Sequence, residues 1–168
     1  MTIILKKRLF FIAIIILLSA LVYTISHKDD APNVVFTSIK GERIAMSDLK
    51  GKVVLVNFWA TDCLPCVTEM PALVKTYQKF NAKGLEIIAV AMPYDPPAQV
   101  LNYARIKKPP FPIVDDGLSE ISKQFGNIEV TPTTFIFDKQ GKLLQRTIGA
   151  LDFVQLNQLL DRKLTTNQ

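Results

Sequence analysis

Two stretches of the chain, VVLVNFW at 53–59 and LEIIAVA at 85–91, are almost unbroken apolar runs set between polar or glycine-bearing segments. Runs of this length without alternation are the pattern of strands covered on both faces. A short turn follows Trp59. From there apolar side chains recur at helical spacing (Val67, Met70, Leu73, Val74, Tyr77, Phe80), which predicts a helix to about Ala82 with Gly84 as its stop. Pro71 lies inside that helix and should kink it. Upstream, Val34–Thr37 and Arg43–Ala45 flank a turn with Gly41 and predict a hairpin, and Met46–Gly51 reads as a turn. Downstream, Met92–Pro97 reads as a loop and Ala98–Ile106 as a short helix. Pro109, Pro110 and Pro112 break the chain before a short strand at Ile113–Val114. Ser119–Phe125 fits another short helix, ended by Gly126. Thr133–Phe137, the turn Asp138–Gly141 and Lys142–Ile148 read as an antiparallel hairpin. Asp152–Leu164 is the last helix, with Asp152 as cap and Phe153, Leu156, Leu159 and Leu160 as its apolar face. This order gives an α/β layer structure with a mixed central sheet. Pro132 falls directly before a strand, where it cannot donate to a ladder and where Thr-Pro suits a turn or a cis bond.

The first apolar run is of a different kind. Leu9 to Ile25 holds 17 residues without a charge, with Ser19 and Thr24 as its small polar members. At a rise of ~1.5 Å per residue it spans ~25 Å, near the lower limit for crossing a bilayer. It is apolar all round, which sets it apart from the core helix of a small domain. Lys6, Lys7 and Arg8 precede it, so the positive-inside rule places residues 1–8 in the cytoplasm and everything after Ser26 outside. Tyr23 sits where an interfacial aromatic would. The competing reading is a cleaved signal peptide, for which Thr24-Ile25-Ser26 is the nearest small-x-small site and a weak one. No cysteine lies near the end of the run to accept a lipid. We read 9–25 as an uncleaved anchor, and 26–33 as a polar linker in which His27 is solvated. The core-forming domain is then 34–165.

Composition narrows the function classes. The 168 residues suffice for one domain plus this appendage. Net charge is +5, but from Lys28 onward 17 basic residues face 15 acidic ones. No basic run interleaves with aromatics, so nucleic acid is not an expected partner. Cys63 and Cys66 are the only cysteines. A structural disulfide framework needs more cysteines at wider spacings. Zinc needs two more ligands, and the single histidine, His27, is far away. The pair therefore reads as redox-active. It opens a helix, where unpaired N–H groups and the positive end of the dipole favour a thiolate. The thiolate is the form that attacks disulfides.

Phe58-Trp59-Ala60, Cys63-x-x-Cys66, Pro71 five residues later, Thr131-Pro132 and Gly149 together resemble the thioredoxin superfamily. More narrowly, residues 34–165 resemble the membrane-anchored, extracytoplasmic TlpA/ResA/CcmG-like thiol–disulfide oxidoreductases. The resemblance implies a thioredoxin-like fold, with helices flanking the sheet, the N-terminal hairpin, and an α–β insertion across Met92–Phe125. It implies that Pro132 is cis and faces the cysteines and that Thr131 pairs through its backbone with an extended substrate segment; Trp59 reads as a packing residue beside the site and is placed with Thr131 and Pro132 as a substrate-binding candidate. Glu69 matches an acidic residue that ResA-like members carry near the site, and the Leu64-Pro65 insert matches their Cys-x-Pro-Cys form. No cofactor is implied beyond the Cys63–Cys66 disulfide. Two positions depart from the pattern. Asp62 stands where most relatives carry tryptophan; it is available to cap the helix, and its charge disfavours the Cys63 thiolate. Asn57 stands where thioredoxin has a buried aspartate, and it cannot take up a proton.

The expected chemistry is dithiol–disulfide exchange. Cys63 attacks a substrate disulfide, Cys66 resolves the mixed disulfide, and Glu69 handles the proton, unless Glu69 is simply an exposed carboxylate on the helix face. The anchor points the domain into a compartment where oxidising catalysts work, so the expected direction is specific reduction. The resemblance implies clients such as apocytochrome c or metal-delivery proteins for oxidase assembly, and recharging by a membrane electron-donor thiol protein. The alternatives are a disulfide oxidase or isomerase, or a Cu(I)-handling module built on two thiolates. Met46, Met70 and Met92 are scattered and form no methionine motif.

Overall fold

The computed structural model describes residue 8, residues 10–19 and residues 30–165. Two compact units divide at Asp30/Ala31. In the first, residues 10–19 are helical. Among the described residues no helix is long and apolar enough to cross a membrane. The expected anchor at 9–25 extends beyond them, and Tyr23, the Thr24–Ser26 site and His27 lie outside them.

The second unit is built on a five-stranded sheet in the order β5-β4-β3-β6-β7. Its strands are β3 (Val53–Trp59), β4 (Leu85–Ala91), β5 (Ile113–Asp115), β6 (Thr133–Phe137) and β7 (Leu143–Ile148). β3 runs parallel to β4, and β4 to β5, while β6 is antiparallel to β3 and β7 to β6. The sheet is mixed, as the element order requires. β3 is buried along its whole length, which explains its unbroken apolar pattern. Before it, β1 (Val35–Thr37) and β2 (Arg43–Ala45) form a separate antiparallel hairpin. The expected turn at 46–51 contains a single 3-10 turn, Met46–Leu49.

Four helices complete the unit: α1 (Leu64–Phe80), α2 (Pro97–Lys107), α3 (Glu120–Gln124) and α4 (Phe153–Thr165). α1 keeps Pro71 inside it and passes through a short 3-10 turn to Gly84, whose left-handed backbone ends it. One core holds Met70, Leu73 and Phe80 of α1 with Val100 of α2 and Leu156, Leu160 and Leu164 of α4. The other holds Phe36, Met46 and Leu49 with Ile121 and Phe125 of the α3 segment. Helices thus cover one face of the sheet, and the hairpin with α3 covers the other. The unit begins earlier than residue 34, because the Ala31 N–H donates to the Gly141 carbonyl at 2.8 Å. Asp152 caps α4, accepting the N–H groups of Val154 (2.9 Å) and Gln155 (3.1 Å).

Candidate active site

Cys63 and Cys66 are joined by a disulfide, with Cα atoms 5.3 Å apart. β3 ends at Trp59, a turn closes through the Cys63 N–H to the Ala60 carbonyl (3.3 Å), and α1 starts at once. Cys63 is itself the N-cap, its Sγ accepting the Cys66 N–H at 3.3 Å. Asp62, the expected cap, is exposed and leaves that position to the cysteine. Pro65 lies in the first turn, where a missing N–H leaves no intrahelical bond unmade. The sulfur of Cys63 thus faces the donor end of α1, which favours its ionised form on reduction. Cys63 is partly exposed, whereas Cys66 is 1% exposed.

Glu69 is not an exposed helix-face carboxylate; it is 6% exposed. It lies on the Cys66–Leu73 stripe of α1. Its Oε1 accepts from Asn57 Nδ2 (3.1 Å) and its Oε2 from the Leu151 N–H (3.1 Å). The second Asn57 N–H donates to Thr134 Oγ1 at 3.0 Å. Burial pushes the Glu69 carboxyl above its usual range, against the opposing effect of the Leu151 and Asn57 hydrogen bonds. A carboxyl group from α1 therefore reaches the strand position where Asn57 itself cannot titrate.

The Thr131–Pro132 bond is cis. The antiparallel register of Phe58 with Thr133 sets Pro132 at the end of the sheet where β3 leads into the cysteines. Pro132 is buried and its carbonyl accepts the Gly149 N–H (2.8 Å), while Thr131 is half-buried. Trp59 is fully buried, its ring 4.8 Å from that of Tyr103 between centroids. It packs in the core as the packing reading expects, and a ring so buried offers a substrate no surface. Met70 packs in one core, and Met46 and Met92 in the other. Among the described residues no cluster of three His, Cys, Asp or Glu is placed to hold a metal ion.

Residues 27–146 match the family model described as AhpC/TSA family. The chain belongs to that thioredoxin-like family. It is 40% identical over 136 residues to a thiol-disulfide oxidoreductase ResA of Bacillus thuringiensis subsp. konkukian, covering 81% of this chain and 77% of the relative. It is 36% identical over 160 residues to the ResA of Bacillus subtilis, covering 87% and 88%. Among solved structures it is similar to a thioredoxin-family thiol:disulfide interchange protein of Chlorobium tepidum. That match has a TM-score of 0.73 and 25% identity, and covers 80% of this chain and 95% of that one. The fold, the Cys63–Cys66 pair and these relatives make the chain a thiol–disulfide oxidoreductase.

Sequence pattern missed one part of this end of the molecule. Asp95, 2% exposed, accepts the Thr61 N–H and the Thr61 hydroxyl, each at 2.6 Å. Tyr94 Oη lies 3.1 Å from Thr131 Oγ1. Both residues sit in the 92–97 loop, which has no periodicity to mark it. The one available signal was an aspartate and a tyrosine among three prolines, polar groups fixed in a stiff backbone.

Proposed function

We propose that the chain is a membrane-anchored, extracytoplasmic reductant of disulfides in client proteins, with apocytochrome c or a metal-delivery protein of oxidase assembly as the client class. The observation that carries the order of events is the unequal exposure of the two sulfurs. Cys63, at the helix end, attacks one sulfur of the client disulfide as a thiolate. A Cys63–client disulfide forms and the other client sulfur leaves as a thiolate that takes a proton. Cys66 then attacks Cys63, the Cys63–Cys66 disulfide forms, and the second client thiolate leaves. Two electrons pass from the cysteine pair to the client. Cys66 must lose its proton in a buried setting, and Glu69, buried on the same stripe of α1, is the group we assign to receive it. Thr131 and Pro132 form the edge along which the client segment lies. A membrane thiol protein restores the dithiol.

Direction is tested by the reduction potential of the Cys63–Cys66 couple in the full chain, titrated against dithiothreitol or glutathione buffers. A reductant has a potential near or below about −270 mV. A value near about −120 mV would mark an oxidant and overturn the reading.

A further inference from the structure

The 92–97 loop grips both segments that flank the disulfide. Its start is fixed by the Met92 N–H donating to the Trp59 carbonyl at 2.9 Å, and it turns through the Asp95 N–H donating to the Met92 carbonyl at 2.9 Å. The buried Asp95 carboxylate then holds Thr61, two residues before Cys63, by two bonds of 2.6 Å. Burying a carboxylate is costly unless it is hydrogen-bonded, and short charge-assisted bonds are the strong ones. Asp95 therefore locks the loop to the cysteine turn. Tyr94, its neighbour, bonds through its hydroxyl to Thr131, the residue before the cis proline. Yet the residue is 54% exposed. A tyrosine tethered at its tip and open along its ring contributes little to a core. It stands as a fixed aromatic surface beside Thr131, with the exposed side chains of Val130 and Leu64 on the flanking segments.

We propose that Tyr94 is a specificity-determining residue for the client. Its ring forms one wall of the groove in which an extended client segment lies along Thr131, and it takes an apolar or aromatic side chain next to the client cysteine. A rigid aromatic wall suits this role, because its two χ angles are already fixed and little entropy is lost on contact. An aromatic–apolar contact of this kind adds to what area burial gives. This inference rests on the disulfide-exchange activity.

The test uses the pre-reduced full chain in detergent micelles and two synthetic disulfide peptides, identical except that one carries leucine or phenylalanine beside the cysteine and the other glycine. Second-order rate constants come from acid-quenched chromatography. The unmodified chain should prefer the apolar-flanked peptide about five-fold or more. Tyr94→Phe, which keeps the ring but loses its tether to Thr131, should retain a reduced preference, and Tyr94→Ala should bring the ratio close to one. A preference that survives Tyr94→Ala, or an equal loss of rate toward both peptides, overturns the proposal. If the unmodified chain reduces neither peptide, the exchange reading itself fails, which is a separate result.

Discussion

Glu69 is 6% exposed, and its carboxyl group is held by two hydrogen bonds and against its own hydration. It is three residues after Cys66 and four before Leu73, on the stripe that α1 turns inward. The helix pattern alone left it between a surface role and a buried one, because its partners Asn57 and Leu151 come from β3 and from the turn before α4. The raised carboxyl, caused first by burial, sets a pH dependence whose sign is fixed. The folded chain keeps the Glu69 proton at pH values where the unfolded chain has lost it. The stabilisation is full below the ordinary carboxylate value of 4.5 and is lost as pH rises through the raised folded value. Glu69→Gln has no such proton to lose. Urea midpoints of the oxidised chain from pH 4 to pH 8 should therefore fall relative to those of Glu69→Gln as pH increases. Parallel curves would show that the carboxyl binds its proton equally in the folded and unfolded chains, and that burial does not raise it.

Element bounds are legible in the sequence within a residue or two, whereas the contacts that hold an element in place are not. β3 and β4 announce themselves because both faces of each are covered. α3 shows the other case. Its five residues are too few to persist without outside support. The expected start, Ser119, has a left-handed backbone and makes no side-chain cap bond. The cap comes from further upstream: buried Asp116 accepts the N–H groups of Ile121 (2.9 Å) and Ser122 (2.8 Å). A local rule that looks one residue before the helix cannot find it. α3 carries Ile121 into the second core, and Phe125, directly after it, meets Phe58 at 5.1 Å and Phe135 at 5.1 Å between ring centroids. Loss of the cap thus reaches the back of the central strands. Asp116→Ala should cost about 1–3 kcal/mol, the usual penalty for stranding buried donors, whereas Ser119→Ala should cost less. Urea unfolding of the two variants decides this, and equal effects would remove Asp116 from the capping role.

Across the whole molecule the sequence carries two separate messages, an apolar run at 9–25 and a redox domain that begins at Ala31. The domain is legible because strand, helix and strand followed by a hairpin and a helix imply a mixed sheet, and because its chemistry sits in a Cys-x-x-Cys at a helix start. Its loop network is not, because Thr61, Asp95, Tyr94 and Thr131 are brought together only by the ends of β3, β4 and β6. The apolar run bears on where this chemistry takes place. Its ~25 Å is shorter than a typical hydrocarbon core of ~30 Å, a mismatch that thinning of the bilayer and snorkelling of flanking Lys6, Lys7 and Arg8 can absorb. The proposed anchor would bring the proposed reductant to its clients and its electron donor at the membrane surface. The full chain should therefore partition into the detergent phase and stay with membranes through an alkaline carbonate wash. Its mature mass should still include the residues before Ser26. Recovery in the aqueous fraction of a protein lacking the first ~20 residues would mean that the run is a removed signal peptide, and that the reductant works free of the membrane.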